Sequence, residues 1–553
     1  MTDANEDNPG GDHEDGSEQA GEALSVEELR RQVQERVSEE TADAPPSDSP
    51  QEITPKFIGE CLFANVLGDA AMYAALHRNR FVYCKNTMEW FEWAGHHWQR
   101  DVMNRSLSAV ERVVDQYLVE YKSIADQLSA KASKGELEEK EQKKLMARQE
   151  ALLKRASQLR ADNRRTACLK FAHTTDDPLA IKGEEFDEKP MLFPCANGVI
   201  DLETGRLKPG RQADYLSLSS PIEFPGIDAP APLWEKSLIE ILGGKDEPGE
   251  QRDRAMEMVL YLQRLFGYAI TGLVHEKVFP VLYGRTGWNG RSLIIETISY
   301  VMGELAGSIP AEMLLSQRYA KSASGPSPDI MSLKGIRMAF ASEIDEGQRF
   351  SASKIKWLTG RDELVGRSPH DKYPTRFRPT HKLFVMTNSQ PQAPPNDKAF
   401  WERLHLIPFK ISFVNRDPRE SHERRAILDL DKQVLREAPM ILAWLVRGCL
   451  LWQQEGINPP KEVTEATEKY RRNEDLLADF LDECCHLEPG AKVKSSALYA
   501  RFVDWYHENH GKNEPSGTWF GKQLGQRFEK TKSEGCSIYH GLTLADAQGE
   551  LEG

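Results

Sequence analysis

The strongest indication of the fold is the stretch KVFPVLYGRTGWNGRSLIIETISYVM, residues Lys277 to Met302. An apolar strand that ends at Tyr283 is followed by a glycine-rich loop, Gly284 to Ser292, and then by apolar residues at helical spacing. In this order of strand, loop and helix, glycines let consecutive backbone N–H groups point at phosphate oxygens, and the helix adds its positive amino end. The stretch therefore predicts a phosphate-binding loop in an α/β fold.

The loop departs from the GxxxxGK[ST] pattern at two positions. Arg291 replaces the lysine, and Arg285 occupies the position of the first glycine, with Gly284 and Gly287 beside it. Ser292 keeps the hydroxyl that such loops use to bind Mg²⁺. Arginine retains the positive charge, but its planar fork is bulkier than an ammonium group, so the sequence leaves open whether the site hydrolyses ATP fully.

Two downstream strands also end in polar residues. Residues 336–341 are apolar except for Arg337 and lead to Glu343 and Asp345, while residues 382–387 lead to Asn388. Ligands bind at the carboxyl edge of parallel strands in open α/β sheets, so we expect these side chains to lie beside the loop. Carboxylates there suit Mg²⁺ coordination, and an amide suits orientation of an attacking water. Taken alone, the acidic segment is better explained as a solvated turn.

With these motifs in place, the segment ASEIDEGQRF…WERLHLIPF, Ala341 to Phe409, resembles the core of superfamily 3 helicases of the phage and plasmid primase type, which are akin to the poxvirus primase-helicase. The resemblance extends from about Phe81 to the C-terminus. In that family the loop usually has the sequence GxNGKS, so Gly287 to Ser292 match every fixed position except the lysine.

This resemblance implies an AAA+-like P-loop core with ATP and Mg²⁺ as cofactors. By the same match, Glu343 and Asp345 take the Walker B roles, with Glu343 and Ser292 on the metal, and Asn388 is the sensor. Arg403 resembles the arginine finger that reaches the ATP of a neighbouring subunit, which implies a ring homo-oligomer, expected to be a hexamer. The residues expected to hold the nucleotide are Gly284, Gly287, Asn289, Gly290, Arg291 and Ser292.

The resemblance also gives a role to a run of bases that lies between the acidic segment and the sensor strand. In the family, a β-hairpin before the sensor strand follows single-stranded DNA through the ring, and Ser368 to Pro374 fits its tip. We expect Arg367, His370 and Lys372 to bind DNA. The other bases of the cluster are Arg361, Arg376, Arg378 and Lys382. Without the neighbouring motifs, an ordinary solvated face would be the preferred interpretation.

Four segments are predicted along the 553 residues. Residues 1–55 contain sixteen acids and three bases, so they hold most of the net charge of −15 and should form a disordered acidic tail. A helical and β pre-motor domain is expected over residues 56–225. It should contain an aromatic β-hairpin at 81–98 that turns at Ala94–Gly95, and charged helices at 105–173 that are interrupted near Gly135 and form a helical hairpin. The ATPase domain is assigned to residues 226–456.

The C-terminal segment, residues 457–553, has two stretches of helical spacing, Ser496 to Asn509 and Ser516 to Phe528, followed by a strand near Cys536 to Leu544. This order predicts a winged-helix-like module, although a structural helical cap fits nearly as well. Residues 422–456 are predicted to be helical.

The eight cysteines lack CxxC spacing and are expected to be reduced and mostly buried. The acidic amino end does not resemble a secretory signal and the longest apolar run is too short to span a bilayer, which predicts a cytoplasmic protein without a membrane partner.

The expected function is an ATP-dependent DNA helicase that translocates on single-stranded DNA in phage- or plasmid-type replication, as the helicase half of a primase-helicase system. No primase core is evident before the loop, so a separate primase or other replication proteins are the expected partners. Three alternatives stay open. They are an ATP-binding loader or switch, which Arg291 favours; a replication-initiation scaffold; and a P-loop enzyme for small molecules, which leaves the basic hairpin and Arg403 unexplained.

Overall fold

The chain has a mixed α/β fold. A computed structural model describes residues 53–545, except residues 176, 246, 318–325, 343, 346, 370–373, 513 and 534–535. The predicted acidic tail lies outside the described residues apart from its last three positions. Among the helices that the structure describes, none combines the length and the apolarity needed to cross a lipid bilayer.

A helical layer comes first in the described chain. Its helices are α1 (Pro55–Phe63), α2 (Asn65–His77), α3 (Arg105–Ser108), α4 (Glu111–Lys134), α5 (Glu139–Leu159) and α6 (Asp162–Ala172). The break predicted near Gly135 separates α4 from α5, and Gly135 ends α4 with a φ of 68°, a left-handed conformation that glycine adopts without steric cost. The two helices form the expected hairpin and bury Val113, Tyr117 and Leu152.

A buried ion network joins the helices of this layer. The Asp69 carboxylate on α2 is fully buried. It accepts hydrogen bonds from Tyr117 Oη on α4 at 2.9 Å, Arg155 Nη1 on α5 at 3.0 Å and Arg164 Nε on α6 at 2.9 Å. A buried carboxylate is stable only when paired and hydrogen-bonded in this way, so Asp69 fixes the packing of four helices.

Two small sheets accompany the helical layer. Their strands are β1 (Phe81–Cys84), β2 (Glu89–Trp93), β3 (Trp98–Arg100) and β4 (Ala180–Ile181) in one, and β5 (Leu192–Cys195), β6 (Gly198–Asp201) and β7 (Arg206–Lys208) in the other. The aromatic segment that predicted one hairpin forms three antiparallel strands, and the predicted Ala94–Gly95 turn joins β2 to β3. Trp98 is buried, as expected of a core aromatic residue.

The central sheet is parallel throughout and has the strand order β14–β8–β13–β10–β9. Its strands are β8 (Phe279–Tyr283), β9 (Ala306–Ser308), β10 (Met338–Ala341), β13 (Lys382–Thr387) and β14 (Leu404–Pro408); the hairpin strands β11 (Leu364–Gly366) and β12 (Thr375–Phe377) lie apart from it. The sheet strands are continuous apolar runs because helices and loops cover both faces.

The helices on and around this sheet build two cores. They are α7 (Pro232–Ile241), α8 (Glu250–Ala269), α9 (Arg291–Met302), α10 (Pro328–Met331), α11 (Ala352–Leu358), α12 (Lys398–Trp401), α13 (Leu430–Leu435), α14 (Ala438–Glu455) and α15 (Lys461–Asn473). Phe384 and Ile407 point into the core formed with α8, α9 and α14, whereas Leu383 and Leu406 point into the core on the opposite face. This alternation is the period of two expected of a strand.

The prediction of a helix over residues 422–456 is wrong for its first residues. Residues Glu423–Arg425 form strand β16, which pairs with β15 (Ser412–Val414), and helix begins only at Leu430. The Glu423 carboxylate accepts hydrogen bonds from Arg416 Nη1 and from the backbone N–H of Arg419, both at 2.8 Å. These local bonds stabilise the loop and the strand. A helix over the same residues would have to break them, which makes it less favourable.

The last described segment has its own core. It contains α16 (Leu476–Cys484), β17 (Cys485–Lys494), α17 (Ser495–Asn509), α18 (Gly517–Leu524), β18 (Lys530–Ser533) and β19 (Cys536–Leu544), with the strands in the antiparallel order β17–β19–β18. Phe480, Phe502 and Phe520 pack together with Trp505. The two helices and the final strand agree with the sequence prediction, while β17 was missed because it is polar and largely exposed. The winged-helix assignment stays a prediction.

Candidate active site

The carboxyl edge of the parallel sheet brings three of the predicted segments together. Tyr283, the last residue of β8, pairs with Thr387, the last residue of β13. Ala341, the last residue of β10, pairs with Val385, two residues before the end of β13. The glycine-rich loop, the acidic segment and Asn388 therefore all begin at this edge, where α/β proteins bind ligands.

Glycines at two positions of the loop meet specific steric demands. Gly290 has a φ of 84°, and a Cβ atom there would lie 2.6 Å from Cγ1 of Ile241 on α7. At Gly284 a Cβ atom would lie 2.1 Å from Nδ2 of Asn289. Gly287 differs, because a Cβ atom there would meet nothing within 4 Å. The loop is thus packed closely at both ends and open at its middle.

Asn289 is buried and shapes the loop from inside. Its Nδ2 donates to the carbonyl oxygen of Thr286 at 2.5 Å, and its Oδ1 accepts from Nε of Arg291 at 2.8 Å. The neighbouring Trp288 has a φ of 58° and is 79% exposed, so the loop turns the aromatic ring outward while Asn289 points inward. A positive φ is rare for a bulky residue and is typical of functional loops.

Arg291 is buried and points across the edge of the sheet. Its Nη1 donates to the carbonyl oxygen of Leu282 at 3.1 Å and to that of Thr387, while its Nη2 donates to Oδ1 of Asn388. Burial lowers the pKa of this guanidinium from its usual value. Together with the bond to Asn289, these contacts join the loop, the end of β8 and the end of β13 through one side chain.

The remaining predicted residues of this site differ in how far the structure describes them. Ser292 and Asp345 are both exposed, and Ser389 Oγ donates to the carbonyl oxygen of Ile344 at 3.3 Å, which holds the acidic segment against the end of β13. Glu343 lies outside the described residues. Hydroxyl and carboxylate oxygens are the ligands that Mg²⁺ prefers. Of the two predicted metal ligands, Ser292 and Glu343, the structure describes only Ser292.

Arg403 lies at the amino ends of the parallel strands, whereas the loop of the same chain begins at their carboxyl ends. It immediately precedes β14, whose first residue Leu404 pairs with Phe279, the first residue of β8. The backbone N–H of Phe279 donates to the carbonyl oxygen of Arg403 at 2.6 Å. The loop begins five residues later at the other end of β8, roughly 15 Å away at the rise of a strand. Arg403 is therefore not brought together with the loop.

The predicted DNA-binding residues fall in the sequence between the hairpin strands β11 and β12. Val365 pairs with Arg376 in this hairpin, and Arg376 is exposed. Arg367 follows β11 and is half-buried, and its backbone bonds with Ser327. His370 and Lys372 lie outside the described residues.

Lys382, which the sequence places in the same basic cluster, is not a surface base. It is 4% exposed, and its Nζ donates to the carbonyl oxygens of Thr271, Leu273 and Thr380. Burial lowers its pKa well below the usual value. Two of these carbonyls, those of Thr271 and Leu273, follow the end of α8, where the helix dipole favours a cation. Lys382 is therefore a structural residue and does not belong to the DNA-binding cluster.

Arg285 borders a cavity for which the sequence predicted no role. This residue is exposed, and the structure gives it no hydrogen bond or ion pair with another described residue. It lines a cavity of about 850 Å³ together with Tyr283, Gln390 and Lys410. The signal for Lys410 is present in the sequence, because this base lies two residues after β14, the strand that neighbours the loop strand.

Two family models match the chain on either side of the parallel sheet. Residues 70–243 match the model described as D5 N terminal like, which covers most of the helical layer and the small sheets. Residues 472–539 match the model described as Poxvirus D5 protein-like, which covers most of the C-terminal module.

Curated relatives come from large DNA viruses. The chain is 26% identical over 454 residues to "Putative helicase L207/L206" of Acanthamoeba polyphaga mimivirus, a match that covers 79% of this chain and 45% of that protein. It is 24% identical over 398 residues to "Putative helicase 022R" of Frog virus 3 (isolate Goorha), covering 61% and 40%. The chain thus spans less than half the length of these relatives.

Among solved structures, the apo structure of the NrS-1 C-terminal region (305–718) is 12% identical, with a TM-score of 0.34, and the match covers 59% of this chain and 77% of that one. The two family models match segments on both sides of the site described above, and the viral relatives are named as putative helicases. The chain thus resembles primase-helicase proteins.

Proposed function

We propose that the chain is an ATP-dependent DNA helicase of superfamily 3 that translocates on single-stranded DNA during replication. The observation that supports this most strongly is the junction of the glycine-rich loop with Asn388 at the carboxyl edge of a parallel sheet. The likeness to virus proteins named as helicases agrees with it. The proposal includes an AAA+-like P-loop core that uses ATP and Mg²⁺.

In the proposed reaction the loop holds the triphosphate and the sheet edge positions its γ-phosphate. Backbone N–H groups from Gly287 to Ser292 face the phosphates, and the first turn of α9 adds its positive end. The Ser292 hydroxyl and Glu343, with Asp345 in the same acidic segment, would hold Mg²⁺, which would neutralise charge on the phosphate oxygens. Asn388, held by Arg291, orients the attacking water.

The position of Arg403 supports a site shared between copies of the chain. Arg403 and the loop lie at opposite ends of the parallel strands. The arginine therefore cannot reach the nucleotide of its own chain unless β14 changes its structure. A neighbouring copy in a ring brings the two ends together. We therefore propose that Arg403 contacts the neighbour's γ-phosphate, in a ring that is expected to be a hexamer.

The hairpin of β11 and β12 is proposed to contact DNA. In the sequence His370 and Lys372 lie between the two strands, Arg367 directly follows β11, and Arg376 is exposed on β12. Cations on a projecting hairpin suit sequence-independent contact with a phosphate backbone. The C-terminal module, with a winged-helix-like arrangement, would engage DNA or a separate primase.

The test compares ATP hydrolysis by the full chain with and without single-stranded DNA, and unwinding of a forked duplex. We expect DNA to stimulate hydrolysis several-fold. Lys372→Ala should weaken single-strand binding and unwinding while basal hydrolysis stays intact, and Lys143→Ala on exposed helix α5 is the matched control. Equal loss of hydrolysis and unwinding in Lys372→Ala contradicts the channel assignment.

A second function is favoured by one observation. The Arg291 guanidinium is bonded to protein groups, whereas the lysine it replaces binds phosphate in P-loop enzymes. A chain with this substitution could bind ATP to switch its assembly on DNA without sustained unwinding. ATP-dependent DNA binding in the absence of turnover selects this loader or switch.

A further inference from the structure

Arg291, which occupies the lysine position of the loop, uses almost all of its hydrogen-bond donors. A guanidinium group has five N–H donors. Four of those of Arg291 are directed at Asn289 Oδ1, the carbonyl oxygens of Leu282 and Thr387, and Asn388 Oδ1. The side chain is 8% exposed. Only one Nη2 hydrogen is left, so Arg291 cannot form a two-bond contact with a phosphate unless it breaks bonds that hold the loop.

A lysine could not make this set of contacts. Its single ammonium nitrogen carries three donors at the end of a flexible stem, whereas the acceptors of Arg291 are spread along a planar fork. The contacts therefore depend on arginine itself, and they connect the loop to the residue proposed to orient the attacking water.

Direct contact with the phosphates then falls to the other cations near the loop. Arg285 lies on the loop itself, is exposed, and makes no hydrogen bond or ion pair with another described residue. It borders a cavity that Lys410 and the acids Glu257, Glu462 and Glu465 also line. Nζ of Lys410 lies 2.6 Å from Oε1 of Glu462, whereas no described residue occupies a donor of Arg285.

On these grounds we infer a division of roles that rests on the proposed ATP site: Arg291 is a positioning residue that ties the loop to Asn388, and Arg285 supplies the positive charge that binds the nucleotide phosphates. The two positions at which the loop departs from the common pattern are thereby linked. The phosphate-binding charge has moved from the end of the loop to its beginning.

The role of Arg291 is tested in the full chain without nucleotide. Hydrogen exchange of the backbone amides at residues 284–290 should be roughly tenfold or more faster in Arg291→Lys than in the wild type, because bonds to a charged group are lost. Asn388→Ala, which removes one partner at an exposed position, should also accelerate exchange in the loop. Arg112→Lys, an exposed residue of helix α4, serves as the control. Unchanged exchange in both site variants overturns the positioning role.

The role of Arg285 is tested by binding of N-methylanthraniloyl-ATP with Mg²⁺ and by steady-state hydrolysis. Arg285→Ala should weaken binding and raise KM by roughly tenfold or more, with Arg285→Lys restoring most of the affinity. Arg291→Lys should instead lower kcat while the affinity stays within about threefold of the wild type, since it removes no phosphate contact.

The reverse pattern, with weak binding in Arg291→Lys and normal binding in Arg285→Ala, overturns the inference while leaving the ATP site intact. Failure of the wild type to bind the analogue overturns the proposed ATP site and the assignment of Arg285 with it. The exchange measurement needs no nucleotide, so it decides the role of Arg291 in either case.

Discussion

Nη2 of Arg291 donates a hydrogen bond to Oδ1 of Asn388, so the first residue of helix α9 is joined to the residue that follows strand β13. This bond spans 97 positions in the chain and connects the end of the glycine-rich loop to the neighbouring strand. Because the loop and Asn388 are held by one guanidinium group, a change at either end should affect the other.

Substitution of Asn388 by aspartate should separate stability from activity. A carboxylate accepts a charge-assisted bond from Arg291, so we expect the free energy of unfolding to rise by about 1 kcal/mol. Turnover should fall, because aspartate loses the amide donor and adds negative charge near the γ-phosphate. Asn388→Ala should lower both quantities. Denaturant unfolding and ATPase assays check this, and a stability of Asn388→Asp below that of Asn388→Ala would contradict the contact.

The strands and the loop were predictable because residues that are close together in the sequence determine them. An apolar run bounded by glycine or polar residues predicts a buried strand, and β13 was located to the residue. The position of Asn388 beside the loop also followed, since parallel strands end at a common edge. These inferences needed no knowledge of distant contacts.

The direction of a long side chain was not predictable in the same way. Lys382 begins a strand next to a basic hairpin, and only the fold places the carbonyls that follow α8 around its ammonium group. Arg291 matches a phosphate-binding position, and only the fold shows that Asn388 and Thr387 occupy its donors. Residues 423–425 were assigned to a helix because a strand of three residues has too little pattern to detect.

The contrast between two loop glycines gives a second prediction. Gly290→Ala should destabilise the protein by about 1–3 kcal/mol, because its φ of 84° is strained for alanine and the new Cβ would lie 2.6 Å from Ile241. Gly287→Ala is the matched control, since its Cβ meets nothing within 4 Å. Chemical denaturation and nucleotide binding check the pair. Equal behaviour of the two variants would mean that the packing of α7 does not restrict the loop.

Removal of the buried Asp69 carboxylate should have a large effect on stability, although this residue lies far from the candidate site. Asp69→Ala leaves Arg155 and Arg164 without their buried partner, so the free energy of unfolding should fall by about 3–5 kcal/mol. Asp115→Ala on helix α4 is the control, because its ion pair with Arg112 is exposed and should contribute less than about 1 kcal/mol. Denaturant unfolding monitored by circular dichroism measures both.

A partly buried histidine predicts a dependence of stability on pH. Burial lowers the pKa of His405 from 6.5 to about 4, and its Nδ1 lies 2.8 Å from Oη of Tyr261. Between these values the unfolded chain binds a proton that the folded chain does not, so stability is full above about pH 6.5 and is lost as the pH falls toward 4. The loss should reach about 3 kcal/mol for this residue. His405→Gln should show a shallower decline between pH 7 and 5, and an equal slope in both proteins would contradict the assignment.

A mixing experiment tests the shared site that the position of Arg403 implies. Arg403→Ala should bind nucleotide but not hydrolyse it, while Ser292→Ala should retain the arginine but lose the metal-binding hydroxyl. In a ring formed from both variants, some loops of the Arg403→Ala chains face intact arginines of the Ser292→Ala chains. We therefore expect the mixture to recover hydrolysis that neither variant shows alone, with a maximum near equal proportions. Because Arg403 and the loop lie at opposite ends of the parallel strands, recovery cannot arise within a single chain. A mixture no more active than its components, under conditions where the chains exchange, would show that Arg403 acts in its own subunit or not at all.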